Sequence, residues 1–320
     1  MSSERHLSVH AASDKRRSLP ELAAEVRDGD TVGLGGGLSS REPMALLREL
    51  IRQGRRDLRV VGSAHGIDVD MLCGAGAVSV SAQSYVGFEQ DFGMAPNYRR
   101  TCQSGEVRID DGCCYTLVQQ LRATILGVPF LPVRSVRGTD FETLHSFRMM
   151  TCPYTGEELA LVPALRPDVS VLHAQYGDER GNLRIEGPPV VDILLAKSSR
   201  TVLATVEQLV STEELHERGG ATIPYFYVSA VSEVAFGAHP TACYPFYAYD
   251  RPHTAMYYRS AKAGSEVFRA EYLQPFVYDC PHHDQYLERV GGEALRQRLA
   301  SWKDGPEAWQ RLYANDGEVA

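Results

Sequence analysis

Two runs in the second half of this chain constrain its fold most: Val169-Ser170-Val171-Leu172-His173-Ala174 and Thr201-Val202-Leu203-Ala204-Thr205. Both are apolar on both faces of a strand. A strand with one wet face turns polar at every second position, so these two belong in a sheet covered by helices on each side. Elsewhere helical and strand-like segments alternate. The periodicity predicts a helix about Leu19–Val26, a strand at Thr31–Leu34, a helix from Pro43, and strands at Leu58–Val61 and Ala77–Ala82. It also predicts a helix over Cys114–Leu126, with Leu117, Leu121 and Ile125 on one face, and another over Pro189–Ala196. That rhythm predicts an α/β fold, an open and mostly parallel sheet flanked by helices. The expected organisation is one domain over residues 1–320, with a polar tail at about 1–17 and an irregular, aromatic-rich segment over about 226–320.

Within this frame the densest signal is Asp28 to Pro43, where the strand at Thr31–Leu34 runs into Gly35-Gly36-Gly37 just before a helix. Adjacent glycines permit positive φ and let a ligand approach the main chain closely. The N-terminus of the next helix turns unsatisfied N–H groups toward the same gap, so the corner reads as an anion holder. Ser40 is the expected N-cap, and a Cβ added at Gly36 is expected to harm turnover more than folding. No Gly-Lys-Ser/Thr follows, and the spacing of dinucleotide folds fails at Leu38. Taken alone, three glycines also suit a tight turn packed against a neighbouring strand.

A formal charge of −8 argues against a broad electrostatic grip on nucleic acid or an anionic membrane. The polar N-terminus lacks an apolar signal core and no apolar run is long enough to span a bilayer, so a cytoplasmic protein is expected. Seven cysteines without Cys-x-x-Cys spacing, Cys113 and Cys114 being adjacent, are expected to be reduced and mostly buried. No metal site is expected, because His282-His283 is the only close histidine pair and chain neighbours diverge. The aromatic run from Tyr225 to Tyr258, broken by Pro240, Pro245 and Pro252, suits either an intersubunit contact or a loop packed on the domain's own sheet.

Separated phrases in a fixed order then identify a resemblance. They include Gly35-Gly36-Gly37 with Arg41 and Pro43; Ser84-Tyr85-Val86-Gly87-Phe88-Glu89; Gly93-Met94-Ala95-Pro96-Asn97-Tyr98-Arg99; and Gly127-Val128-Pro129-Phe130-Leu131-Pro132. Further on stand Pro163-Ala164-Leu165-Arg166-Pro167-Asp168, His173-Ala174-Gln175, Val206-Glu207 and Gly237-Ala238-His239-Pro240-Thr241. From Leu19 to His283 the chain resembles the alpha subunits of family I CoA-transferases, of the glutaconate CoA-transferase type. The resemblance implies a beta subunit of similar fold, a hetero-oligomer such as α2β2, and an active site in the cleft between the chains. It implies coenzyme A and acyl-CoA as substrates, with no permanently bound cofactor. The nucleophile, a glutamate that forms an acyl anhydride and then a CoA thioester, is expected on the beta chain. Glu186-Gly187 is only superficially similar to its motif and reads as a turn.

On this side of the cleft the resemblance points to Gly35, Gly36 and Gly37, and to Ser84 and Tyr85 at a strand end, with Glu89 beyond the turn as a catalytic candidate. Arg99 and Arg134 are candidates for a carboxylate clamp, against the plainer reading as surface ion pairs. One departure matters. Where many relatives show a glutamate, an aromatic residue and a serine, this chain has Asp110-Asp111-Gly112-Cys113-Cys114. Ring-opening hydrolases that resemble this family use an alpha-chain carboxylate in about this region to activate water, which makes Asp111 a candidate base. Its plainer reading is a helix N-cap. Three alternatives follow: a transferase alpha chain, a hydrolase alpha chain, and a non-catalytic partner of the beta chain.

Overall fold

The computed structural model of the chain describes residues 14–110, 112–144 and 147–313. Seven parallel strands form the central sheet. They are β1 (Thr31–Leu34), β2 (Leu58–His65), β3 (Val78–Val86), β4 (Arg108–Ile109), β8 (Val169–Gly177), β10 (Thr201–Leu209) and β11 (Ala230–Glu233), in the order β11-β10-β8-β1-β2-β3-β4. A short strand, β9 (Leu183–Arg184), pairs antiparallel with β8. Chain order therefore runs outward from β1 to β4, returns, and runs outward again from β8 to β11. The switch lies between β1 and β8, where Gly33 pairs with Ser170. A separate antiparallel sheet, β5 (Phe130–Val133), β6 (Arg148–Thr151) and β7 (Glu158–Pro163), has β7 in its centre.

Helices cover both faces of the central sheet, as the doubly apolar strands require. On one face α1 (Leu19–Ala24), α2 (Met44–Arg52), α3 (Ile67–Gly74) and α4 (Pro96–Ser104) are joined by α7 (Arg251–Ala263). Leu22, Leu47, Leu50, Leu72 and Tyr257 are fully buried there. On the other, α5 (Cys114–Leu126) and α6 (Asp192–Ser198) bury Leu117, Leu121 and Leu195 against Val202 and Ala204. Each fully buried leucine contributes about 1.5–3 kcal/mol relative to exposure.

Two expectations change, and one open alternative is narrowed. The segment expected to be irregular contains α7, whose N-cap Asp250 accepts from the His253 N–H, and helical turns continue to Tyr313. Prolines hid it from the pattern, yet Pro252 sits in the first turn of α7, where its missing N–H costs nothing. Tyr247 and Tyr257 are wholly inaccessible, so much of the aromatic run packs within its own chain, while Tyr225 and Phe226 face outward. Ser40 does not cap α2. The cap residue is Pro43, without a side-chain bond, and Ser40 instead exchanges backbone hydrogen bonds with Gly37.

None of the seven cysteines is in a disulfide; three are buried, three half-buried and Cys114 exposed. Of the expected tail, residues 14–17 lie along β11, the Arg17 N–H donating to Val231 O at 2.9 Å; residues 1–13 are outside the described residues. No helix among the described residues is long and apolar enough to cross a membrane.

Candidate functional site

Open α/β sheets bind ligands outside the carboxyl ends of their strands. Here β1, β2 and β3 end side by side, and backbone strain gathers in the loops beyond them. Leu38 and Arg41, both at φ 54°, follow β1, and Glu89, at φ 49°, follows β3. Non-glycine residues hold such angles only where the surroundings over-determine them, which is common at functional sites.

The glycine corner is closed rather than open. The Gly35 N–H donates to Val171 O at 3.0 Å, the Gly37 N–H to Ser40 O at 2.9 Å, and the Gly36 N–H to the Asp192 carboxylate at 3.2 Å. Asp192, in the first turn of α6, also meets Arg41 Nη1 at 3.1 Å, and both side chains are buried. Arg41 is held further by the carbonyls of His173 and Pro188. The corner thus does bind an anion, but the anion is the protein's own, seated at the switch point between β1 and β8. A Cβ at Gly36, where φ is +74°, would run into the Arg41 carbonyl. The expectation that these N–H groups await a ligand is corrected by their saturation.

At the end of β2, the His65 Nδ1 and an Asp68 carboxylate oxygen lie 2.6 Å apart, and the other Asp68 oxygen accepts the Val69 N–H at 2.7 Å. Glu42 accepts the N–H groups of Gly66 and Asp68 at 3.1 and 3.3 Å. Burial, and then the Asp68 charge, pushes Glu42 well above the usual carboxylate range. Burial also penalises Asp68, but His65 outweighs it and holds that carboxyl below its ordinary value. The group lies behind Gly66, which forms a narrow wall between the carbonyls of Leu38 and Gly87. In front of that wall is a cavity of about 360 Å³, lined by Leu38, Ser39, Gly87, Glu89, Asp91 and Tyr249. Glu89 is exposed there, and Asp91 pairs with Arg251 at 3.1 Å. Tyr85, 42% exposed, folds its ring back over Gly87.

Ser84 points the other way. It faces a second cavity, about 450 Å³, between the β3–β4 side of the central sheet, α5 and the small sheet. There Arg59 Nη2 meets Asp110 at 2.6 Å, while Ser84 Oγ and Arg59 Nε are buried without a hydrogen-bond partner. Gly112 also lines this cavity; Asp111 lies outside the described residues. Arg99 and Arg134 line neither cavity. Arg99 is exposed beside Met94, and Arg134, 74% exposed, pairs with Glu157 at 2.8 Å.

Sequence reasoning missed the Arg41–Asp192 pair, the Glu42–His65–Asp68 group and Arg59. Asp192 had a signal, since an acid in the first turn of a predicted helix belongs near a cation or an N-terminus. Among the described residues, two groups bring metal-type ligand atoms within 4.8 Å: Glu42, His65 and Asp68, and His173, Glu207 and Cys243. In the second, His173 Nε2 and Glu207 are 2.7 Å apart, and the Tyr247 hydroxyl also donates to that carboxylate.

The model of the coenzyme A transferase family matches residues 16–234. This chain belongs to that family. It is 31% identical over 292 residues to the alpha subunit of glutaconate CoA-transferase from Acidaminococcus fermentans, covering 86% of this chain and 91% of that one. The crystal structure of that enzyme superposes with a TM-score of 0.83 over 88% of this chain and 94% of the matched one, at 30% identity. The cholesterol ring-cleaving hydrolase IpdA subunit of Rhodococcus jostii is 32% identical, over 81% of this chain and 92% of its own. The crystal structure of a variant of the decarboxylase AibA/AibB matches with a TM-score of 0.73 at 31% identity, over 81% and 98% of the two chains. The chain spans 64% of the length of a 33% identical, uncharacterised protein of Archaeoglobus fulgidus. The α/β fold of family members is thus the one found here, and the chain is of the alpha type.

Proposed function

We propose that this chain is the alpha subunit of a two-chain enzyme that moves coenzyme A between an acyl-CoA and a carboxylic acid, with a beta chain supplying the nucleophile. One observation carries the reading: at the strand ends the buried acids Glu42, Asp68 and Asp192 are bonded inside the protein, whereas a cavity lies open beyond the β1 and β3 loops. Carboxylates so bonded and desolvated are poor nucleophiles, and in this reading the beta chain supplies the one that reacts. A partner glutamate would attack the thioester carbonyl, giving an acyl–glutamyl anhydride and CoA thiolate. The thiolate then attacks the glutamyl carbonyl, releasing the acid and leaving a glutamyl–CoA thioester. Attack by the acceptor carboxylate and return of the thiolate regenerate glutamate and give the new acyl-CoA. Each bond broken is matched by one of similar activation, so no nucleotide is spent.

In this scheme Glu89 and Tyr85 edge the cavity that receives the partner, Ser84 donates to a substrate oxygen, and Gly35, Gly36 and Gly37 with Asp192 fix the corner from which Leu38 and Ser39 reach that first cavity. Arg99 and Arg134 belong to the surface around it. The hydrolase alternative, with Asp111 as base, is supported by the similarity to the IpdA subunit. Co-purified with its beta chain, the protein should consume acyl-CoA only when an acceptor acid is added, and borohydride should trap a reduced beta glutamate. Acceptor-independent release of CoA, abolished by Asp111→Asn, would replace transfer by hydrolysis. Acyl-CoA turnover by this chain alone would overturn the two-chain reading.

A further inference from the structure

Resting on that reading of the chain as one half of a two-chain enzyme, we infer that Pro188-Pro189-Val190, the turn leading into α6, is a rigid apolar ledge on which the beta chain seats. Val190 is its anchor.

Backbone strain singles out the residue. Val190 holds φ at 43°, in the left-handed region, where a β-branched side chain is a genuine outlier and where glycine or asparagine fits far more readily. The joint beneath fixes that turn: Arg41 Nη2 donates to Pro188 O at 2.9 Å, and the Asp192 N–H donates to Pro189 O at 2.8 Å. This explains why residue 190 is left-handed. It does not explain why it is valine. A buried valine would recover the strain through packing, yet Val190 is 53% exposed. Its isopropyl group stands over the edge of the glycine corner, where a Cβ added at Gly37 would lie 3.6 Å from Cγ1. A strained and exposed apolar side chain brings the free chain little return, so its contact is to be sought outside the chain.

Surroundings name the occupant. The ledge stands at the carboxyl end of the sheet beside the β1–β8 switch point, where open α/β sheets receive what they bind. Val190 lines neither the cavity of about 360 Å³ nor that of about 450 Å³, so a small molecule enclosed in either does not meet it in their walls. A broad surface does. Gly187, Pro188 and Val190 are exposed, none of the residues from Gly187 to Val190 carries a charge, and the ions below, Arg41 and Asp192, are buried and paired with each other. Interfaces are depleted of charge at their core and keep it at the rim, so this composition belongs at a core. Two successive prolines fix their own φ, which leaves little freedom to lose on docking. The matching surface of the beta chain is therefore apolar, because a charge brought against the ledge would shed water without gaining a partner.

The test titrates the full alpha chain with its beta chain and reads the dissociation constant by calorimetry. Val190→Asn keeps the left-handed turn and removes the isopropyl group; Val190→Gly is the second variant. In each, the melting temperature of the alpha chain alone should hold or rise, while association with the beta chain weakens at least about tenfold, the scale of losing an anchor side chain. Excess beta chain should then restore turnover by mass action. An unchanged dissociation constant in both variants would overturn the ledge. So would a lower melting temperature in both, which makes Val190 part of the fold, or turnover that stays low at saturating beta chain, which makes it a substrate contact. Weakened self-association of the alpha chain with its beta affinity intact would overturn the choice of partner and give the ledge to a second copy. A parent chain that binds no beta chain at all would sink the two-chain reading itself, whereas variants that bind as well as a binding parent sink only the ledge.

Discussion

The β1 corner and the β3–β4 side of the sheet start from the same geometry, parallel strands ending beside a helix, and finish differently. At β1 the protein supplies its own anion: Asp192 takes the Gly36 N–H and Arg41 together. At β3–β4 two donors, Ser84 Oγ and Arg59 Nε, are left without partners beside a cavity. At one strand end the donors are all bonded within the chain, and at the other two are not. A glycine-rich phosphate-type corner in sequence is therefore no guarantee that a ligand sits there, because a buried carboxylate satisfies the same donors.

The largest effect should come from breaking the closed side. Asp192→Ala leaves the Arg41 guanidinium buried without its counter-charge, which costs about 3–5 kcal/mol, and denaturant unfolding should show it. Should Asp192→Ala lose activity at unchanged stability, the corner is functional and the contrast fails. Gly36→Ala comes next. A side chain at φ +74°, driven against the Arg41 carbonyl, should cost about 2 kcal/mol or more, with activity falling in step with the melting temperature.

A second buried arginine sharpens the point. Among the described residues no carboxylate pairs with Arg48; its guanidinium lies 3.6 Å from the centre of the Tyr286 ring and donates to His239 O at 3.0 Å. Nearby His253 accepts from or donates to the Tyr272 hydroxyl at 3.0 Å. Burial, the neighbouring His239 and Arg48 hold His253 down at about 3, with Asp250 pulling the other way. A histidine kept neutral when folded but free to protonate when unfolded, near 6.5, loses stability as pH falls through that window. Between pH 7 and pH 5 the loss from this residue should be about 2 kcal/mol. His253→Gln, which keeps an acceptor for Tyr272, should flatten that slope by the same amount in melting curves; an equal slope in both proteins would refute the assignment.

How much of this was legible depends on range. Helix α5 over Cys114–Leu126 and strand β1 were readable because Leu117 and Leu121, or Val32 and Leu34, repeat at local periods. Helix α7 was not, because Pro252 and the tyrosines around it resemble loop composition until a cap at Asp250 is seen. The site divides in the same way. Ser84 was readable as a residue at a strand end facing a turn. The Arg41–Asp192 pair joins residues far apart in sequence, and Arg59–Asp110 likewise depends on which strands are neighbours in the sheet, so neither pairing has a local signature.

The smallest stability effect should have the opposite sign to the largest. Ser84 Oγ is buried and unbonded in the free chain, so the folded state bears the cost of dehydrating a hydroxyl for no return. Removing it with Ser84→Ala takes that cost away and leaves the β3 backbone pairing intact. The variant should therefore be as stable as the parent or more stable, by up to about 1 kcal/mol, while turnover in the complex falls. Stability lost in Ser84→Ala, by contrast, would mean that the hydroxyl has an internal partner in solution. The β3–β4 side would then be closed like the β1 corner, and the difference between the two strand ends would disappear.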